Sequence, residues 1–188
     1  SLELLPTTTS ELLPTGFNMV GYVSASMGLG EASRRVATTL RSTGLPLHIV
    51  EETAHHTAGR TVPGYAVHST LRYANSFVAV NADAAINVCA RLGITRRPDA
   101  RSIGHWYWEL ESFPDQYSGA FAPFSEIWVA SEFMREAIAK ASPIPVRTMK
   151  LEIPVIDNEL LPSRREVGFD DRFTFYFTYD ANSIFQRK

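Results

Sequence analysis

The sequence predicts an α/β fold in which a mostly parallel sheet is covered on both faces by helices. Three observations predict it. Short apolar runs alternate with amphipathic segments along most of the 188 residues. The apolar runs are continuous rather than alternating, as strands buried on both faces require. Gly44, Gly93 and Ser131 stand where helices must stop or start.

In order along the chain, residues 1–15 carry Leu-Leu-Pro twice among Ser and Thr and read as a flexible arm. Residues 17–23 are an apolar run between Gly16 and a Ser-rich loop, hence a strand. Over residues 31–42, Ala32, Val36 and Leu40 recur every fourth position while Arg34, Arg35 and Arg41 take the other face, which predicts an amphipathic helix ended by Gly44. Residues 46–50 form a short strand. Residues 53–74 scatter His, Gly, Pro and Thr without a period, and an excursion of that length is usually functional. Residues 77–80 are a strand, 83–92 a helix closed by Gly93, 101–108 a strand, 114–122 a helix and 126–130 a strand. Ser131 caps a helix over 132–141, with Glu132 at its positive end. Residues 145–150 close the alternation as a strand, so residues 16–153 read as one domain. Pro154, Pro162, Arg164, Arg165 and Glu166 mark 154–172 as a linker, and 173–179 as an aromatic strand of the buried type. A buried parallel strand needs a covering helix and a neighbour. Nothing up to Lys188 supplies the helix, so 173–188 is expected to open a second domain.

Composition narrows the function. With 45% hydrophobic and 20% charged residues the chain buries a real core. Eighteen Lys and Arg against 20 Asp and Glu leave a net charge of -2, which argues against a nucleic-acid binder. No apolar run approaches the roughly 18 residues of a membrane span, and the N-terminus lacks the basic start of a signal peptide. The expected place is the cytoplasm, with the inner face of the membrane as an alternative. Cys89 has no partner for a disulfide or a metal site and reads as a small buried side chain.

Ligands of open α/β sheets bind beyond the carboxyl ends of the strands. After the first strand, residues 24–30 lead into a helix through Gly28, Leu29 and Gly30. Glycines permit close backbone approach and a helix N-terminus favours an anion, so a phosphate-bearing ligand is expected; a plain loop with a glycine kink is the bland alternative. A dinucleotide site is a weaker reading. Glu51 lies at the right distance, but Ser33 replaces the third glycine and residues 24–27 separate strand from glycine. The densest cluster is 105–111, where His105, Trp106, Tyr107, Trp108, Glu109 and Glu111 crowd the end of a strand. Rings stack on sugar faces and carboxylates accept bonds from hydroxyls, which suggests an acceptor site with His105 and Glu109 as catalytic candidates. Trp106 and Trp108 serve equally well as core. His55 and His56 lack a partner pair at metal-ligand spacing and read as solvated. Arg187 and Lys188 either clamp a diphosphate or are solvated charges.

The chain resembles the N-terminal, acceptor-side half of a GT-B glycosyltransferase of the retaining family 4 type. The likeness rests on Gly21-Tyr22 through Gly28-Leu29-Gly30-Glu31-Ala32, on His105-Trp106-Tyr107-Trp108-Glu109-Leu110 with Phe113-Pro114, on Glu126 to Phe133 and on the closing residues 173–188. It implies a Rossmann-like three-layer domain facing a second, donor-binding Rossmann-like domain across a cleft. It implies that Gly28, Leu29 and Gly30 face the donor phosphates, that Trp108 and Glu109 line the acceptor side, and that Ser131 and Glu132 border the cleft. It further implies that Tyr179 and Asp180 end the first donor-domain strand and that Arg187 and Lys188 approach the donor diphosphate. A nucleotide-sugar would be the donor substrate, a carbohydrate or lipid-linked molecule the acceptor, and neither metal nor other cofactor would be required. The paired glutamates of such a donor domain are not in this sequence, so the segment alone is expected to be inactive. A non-catalytic sugar- or nucleotide-binding module and an NAD(P)-binding domain are the alternatives.

Overall fold

The computed structural model describes residues 11–53, 64, 66–151 and 161–177. Seven strands form one all-parallel sheet in the order β3-β2-β1-β4-β5-β6-β7. They are β1 (Leu13–Gly21), β2 (Leu47–Glu51), β3 (Val67–His68), β4 (Tyr73–Ala79), β5 (Ser102–Trp106), β6 (Glu126–Val129) and β7 (Val146–Thr148). Helices α1 (Gly28–Ser42), α2 (Ala82–Leu92) and α3 (Glu132–Ala139), with a 3₁₀ segment at Asp115–Phe121, supply the outer layers. Parallel neighbours need crossovers, and right-handed crossovers put elements on opposite faces once the direction of travel along the sheet reverses. The chain moves one way from β1 to β2 and the other way from β4 to β7. Accordingly α1 packs Val36 and Ala37 with Met19, Ile49 and Phe77 on one face. Helices α2 and α3 pack Val88, Cys89, Ala137 and Ile138 with Val20, Val78 and Ile127 on the other. This is a Rossmann-like three-layer α/β domain.

Local signals act where expected. Gly93 ends α2 in the left-handed conformation, and the Ser131 hydroxyl accepts a bond from the Met134 N–H at the start of α3. Cys89 is buried in the α2 face, where desolvation pushes its thiol up to about 12.

Four expectations are corrected. Residues 13–15 belong to β1 rather than to an arm, because Leu13 pairs with Tyr73; residues 1–10 lie outside the described residues. β4 begins at Tyr73, inside the supposed excursion, and β3 forms within it; residues 54–63, with His55 and His56, lie outside the described residues. Polar Asn75 and Ser76 hide β4's start from a hydropathy reading, yet their side chains serve the neighbouring backbone: the Asn75 amide donates to the Pro14 and Gly16 carbonyls. Within 114–122, expected as a helix, Asp115–Phe121 is a single 3₁₀ stretch, consistent with Ser118 and Gly119 inside it, that brings Tyr117 and Phe121 onto Phe113.

The fourth correction lies in a separate compact unit. The chain divides into Ser1–Leu151 and Glu152–Lys188. In the second, Arg164 donates to the carbonyls of Asp170 and Arg172, and Glu166 accepts from Ser163. Residues 173–177, expected as the buried start of a strand, carry no strand, and Phe173 and Phe175 are 86% and 91% exposed. A strand exists by pairing its backbone with neighbours, and these residues have no strand neighbour among the described residues. Among the described residues no helix is long and apolar enough to cross a membrane.

Candidate functional site

The strand order reverses between β1 and β4, and the carboxyl ends of the strands at such a reversal are where open α/β sheets bind ligands. On one side of the reversal stand residues 22–27 and the first turn of α1. This loop is held from three directions. The Ser24 N–H donates to both oxygens of Glu51 at 3.1 Å, the Arg34 guanidinium donates to the carbonyls of Val23 at 2.9 Å and Ala25 at 3.0 Å, and the Tyr22 N–H donates to Ser33 Oγ at 3.1 Å. Glu31 holds Arg34 and Arg35 in turn, which keeps its carboxyl below the usual range, Arg35 contributing most. No side chain caps the N-terminus of α1, where Met27 occupies the cap position. Gly28 is exposed, and a Cβ there would meet nothing within 4 Å; Gly30 is buried, and a Cβ there would press on the Ala25 carbonyl oxygen and lie 2.9 Å from that of Tyr22. The two glycines therefore do different work: Gly28 leaves open space before the helix end, and Gly30 lets helix and loop close together.

Across the reversal, Asn81 precedes α2. Its side chain also does not cap the helix; Oδ1 instead accepts the Tyr107 N–H at 2.8 Å and ties the end of β4 to the segment after β5. Glu52, wholly buried behind β2, is ion-paired to Arg91 of α2. Further along the edge, Ser131 is half-buried as the α3 cap, and exposed Glu132 accepts from Thr148 and Arg135, which hold its carboxyl low.

The cluster at the end of β5 sorts by strand parity. Trp106 and Trp108 point to the α2 face and are 1% and 2% exposed. Trp106 stacks on Phe113, and Trp108 packs on Phe113 and Tyr117 while its Nε1–H donates to the Ser112 carbonyl at 2.8 Å. The ring expected of Trp108 as a sugar platform is thus spent in the core. His105 and Tyr107 point to the α1 face. His105 is 1% exposed between Phe77 and Tyr107, with neither ring nitrogen hydrogen-bonded. Burial depresses it from the ordinary 6.5 to about 4 and pushes the Tyr107 phenol up to about 12 against the pull of Arg35. A neutral, enclosed imidazole is not placed to exchange a proton with a substrate. Of the two catalytic candidates, Glu109 is the exposed one. Arg187 and Lys188, with Tyr179 and Asp180, lie outside the described residues. Among the described residues no three His, Cys, Asp or Glu side chains converge as a metal site would require. Sequence reasoning missed Ser33 and Arg34 as the holders of the loop before α1, and Asn81 as the tie across the reversal. Only the spacing of Arg34 one helical turn after Gly30 hinted at this.

His105 gives a pH prediction. Its unfolded imidazole titrates near 6.5 and the folded one near 4, so on acidification the unfolded chain takes up the proton first. Stability is fully present above the unfolded value and is lost as the pH falls toward the folded one. Going from about pH 7.5 to about pH 5 should cost about 2 kcal/mol through this residue. Urea unfolding of His105→Phe should show that much less pH dependence, and an unchanged difference between the two pH values would acquit His105.

The fold and the end of β1 define the class: a Rossmann-like α/β domain with an uncapped helix N-terminus at the reversal of its strand order. Compared with protein-family models and with the curated proteins, the chain gives no match.

Proposed function

We propose that the chain forms the acceptor-side domain of a retaining GT-B glycosyltransferase, which moves a sugar from a nucleotide-sugar to a glycan, lipid or small-molecule acceptor. The observation that carries this reading is the uncapped N-terminus of α1 beside Gly28, held open at the point where the strand order reverses. Its free N–H groups and positive dipole suit a phosphate-bearing ligand. In this reading Gly28 and Leu29 face the donor phosphates, and buried Gly30 holds the loop closed on the helix behind them. Exposed Glu109 accepts a hydrogen bond from an acceptor hydroxyl, and Ser131 and Glu132 border the cleft. The aromatic run after residue 172 opens the donor domain, where Arg187 and Lys188 neutralise the leaving diphosphate, a use of preorganised charge.

The dinucleotide alternative is disfavoured by Glu51 and Ser33. The carboxylate that would hold a ribose accepts the Ser24 N–H, and the residue in place of the third glycine accepts the Tyr22 N–H. The test is to express the complete reading frame and measure nucleoside diphosphate release from UDP-, GDP- and ADP-sugars with an acceptor panel. Release that depends on acceptor supports transfer. Binding of a nucleotide-sugar without release from any donor identifies a non-catalytic module, and tight binding of NAD overturns the reading.

A further inference from the structure

The opposite, amino edge of the sheet carries a second feature, independent of the transfer reading. A concavity of about 580 Å³ opens beneath the starts of β4, β5 and β6, lined by Asn75, Arg96, Arg97, Asp99, Arg101 and Ser125. Three arginines line it together with a single acidic residue. Asp99 is taken by Arg97 through a two-point contact. The polar side chains of the wall are already satisfied. Asn75 accepts the Arg101 N–H and donates to the Pro14 and Gly16 carbonyls, and Ser125 exchanges bonds with the Ser102 backbone. Arg96 and Arg101 have no ion pair or side-chain hydrogen bond among the described residues. The wall therefore offers donors and positive charge with nothing of its own to receive them.

We infer that this pocket binds a phosphate-type anion through Arg96 and Arg101, with Arg97 steadied by Asp99 at its rim. Planar guanidinium forks match phosphate oxygens bidentately, and two unpaired forks suit a dianion better than a single carboxylate. The anion can be a free phosphate compound or a lipid headgroup, since both present the same oxygens.

The test titrates the chain with inorganic phosphate while following backbone amide resonances, and separately sediments it with vesicles of phosphatidylcholine alone or mixed with phosphatidylglycerol. Inorganic phosphate should shift the amides of residues 96–102 in a saturating way. The double variant Arg96→Gln/Arg101→Gln should bind at least about tenfold more weakly while keeping the parent amide spectrum elsewhere. Arg41→Gln/Arg135→Gln, which removes the same charge from residues that do not line the pocket, should bind as the parent does. Sedimentation with the anionic vesicles only, lost in the first double variant and competed by phosphate, assigns the source to a headgroup. Phosphate binding without sedimentation assigns it to a free phosphate compound. No saturable shift at residues 96–102 with no vesicle binding, or equal loss in both double variants, overturns the proposal.

Discussion

Gly30→Ala is expected to lower the stability of the first unit by about 3 kcal/mol, the upper part of the range for forcing atoms into a packed site. The new Cβ would press on the Ala25 carbonyl oxygen and stand 2.9 Å from the Tyr22 carbonyl oxygen. Both obstacles are backbone, so no side-chain rotation relieves them. The loop over residues 22–27 is itself tied to Glu51, Arg34 and Ser33, and it can shift only by breaking those bonds. Gly28→Ala is the control: nothing lies within 4 Å of its Cβ, and removing a helix glycine should leave stability level or raise it by up to about 1 kcal/mol. Urea unfolding of both variants decides the matter. Equal midpoints would mean that helix and loop are not closed on each other as described.

Asn18→Leu should cost about 3–4 kcal/mol although it is close to isosteric. Between Leu13 and Phe17 the β1–β4 register slips, with Gly16 at φ 124° in the bend. The slip removes ladder partners from the start of β4, and the wholly buried Asn18 amide replaces them. Its Oδ1 accepts the N–H groups of Arg72 and Tyr73 at 2.8 and 3.1 Å, and its Nδ2 donates to the carbonyls of Tyr73 and Asn75 at 2.6 and 3.0 Å and to Ser76 Oγ at 3.1 Å. Leucine would strand these groups away from water, at roughly 1–3 kcal/mol for each group left unsatisfied, partly relieved by movement at the strand ends. Chemical denaturation gives the value, and hydrogen exchange at Arg72 and Tyr73 should accelerate selectively. A loss below about 1 kcal/mol would show that the bulge does not depend on this side chain.

Both residues mark the limit of what periodicity can find. Alternating apolar and amphipathic runs revealed most of β1, α1, β2, α2, β5, β6 and α3, because burial of a strand or a helix face leaves its period in the sequence. The start of β4 was illegible: Tyr73, Asn75 and Ser76 look like loop residues, and only pairing with β1 makes them strand. Residues 173–177 failed in the reverse sense, since an aromatic run states a preference for burial that pairing must then satisfy. At the start of α1, Gly28 and Gly30 stood out as a loop before a helix, but nothing in the spacing separated the open glycine from the closed one. Strand parity decided the cluster at the end of β5. Trp106 and Trp108 go to one face as core, His105 and Tyr107 to the other without hydrogen bonds from their side chains, and Glu109 remains exposed.

By itself, then, the sequence determined the fold class, the helix ends at Gly93 and Ser131, and the glycine loop that opens α1, because propensity, capping and burial period are properties of neighbours along the chain. Only the tertiary structure decided which glycine is indispensable, which aromatic rings are core and which arginine side chains have no ion pair or hydrogen bond among the described residues. Those outcomes depend on atoms brought together from positions far apart: Gly30 against Ala25 and Tyr22, Trp108 against Tyr117, Arg101 beneath Asn75. No local pattern encodes the distance between them.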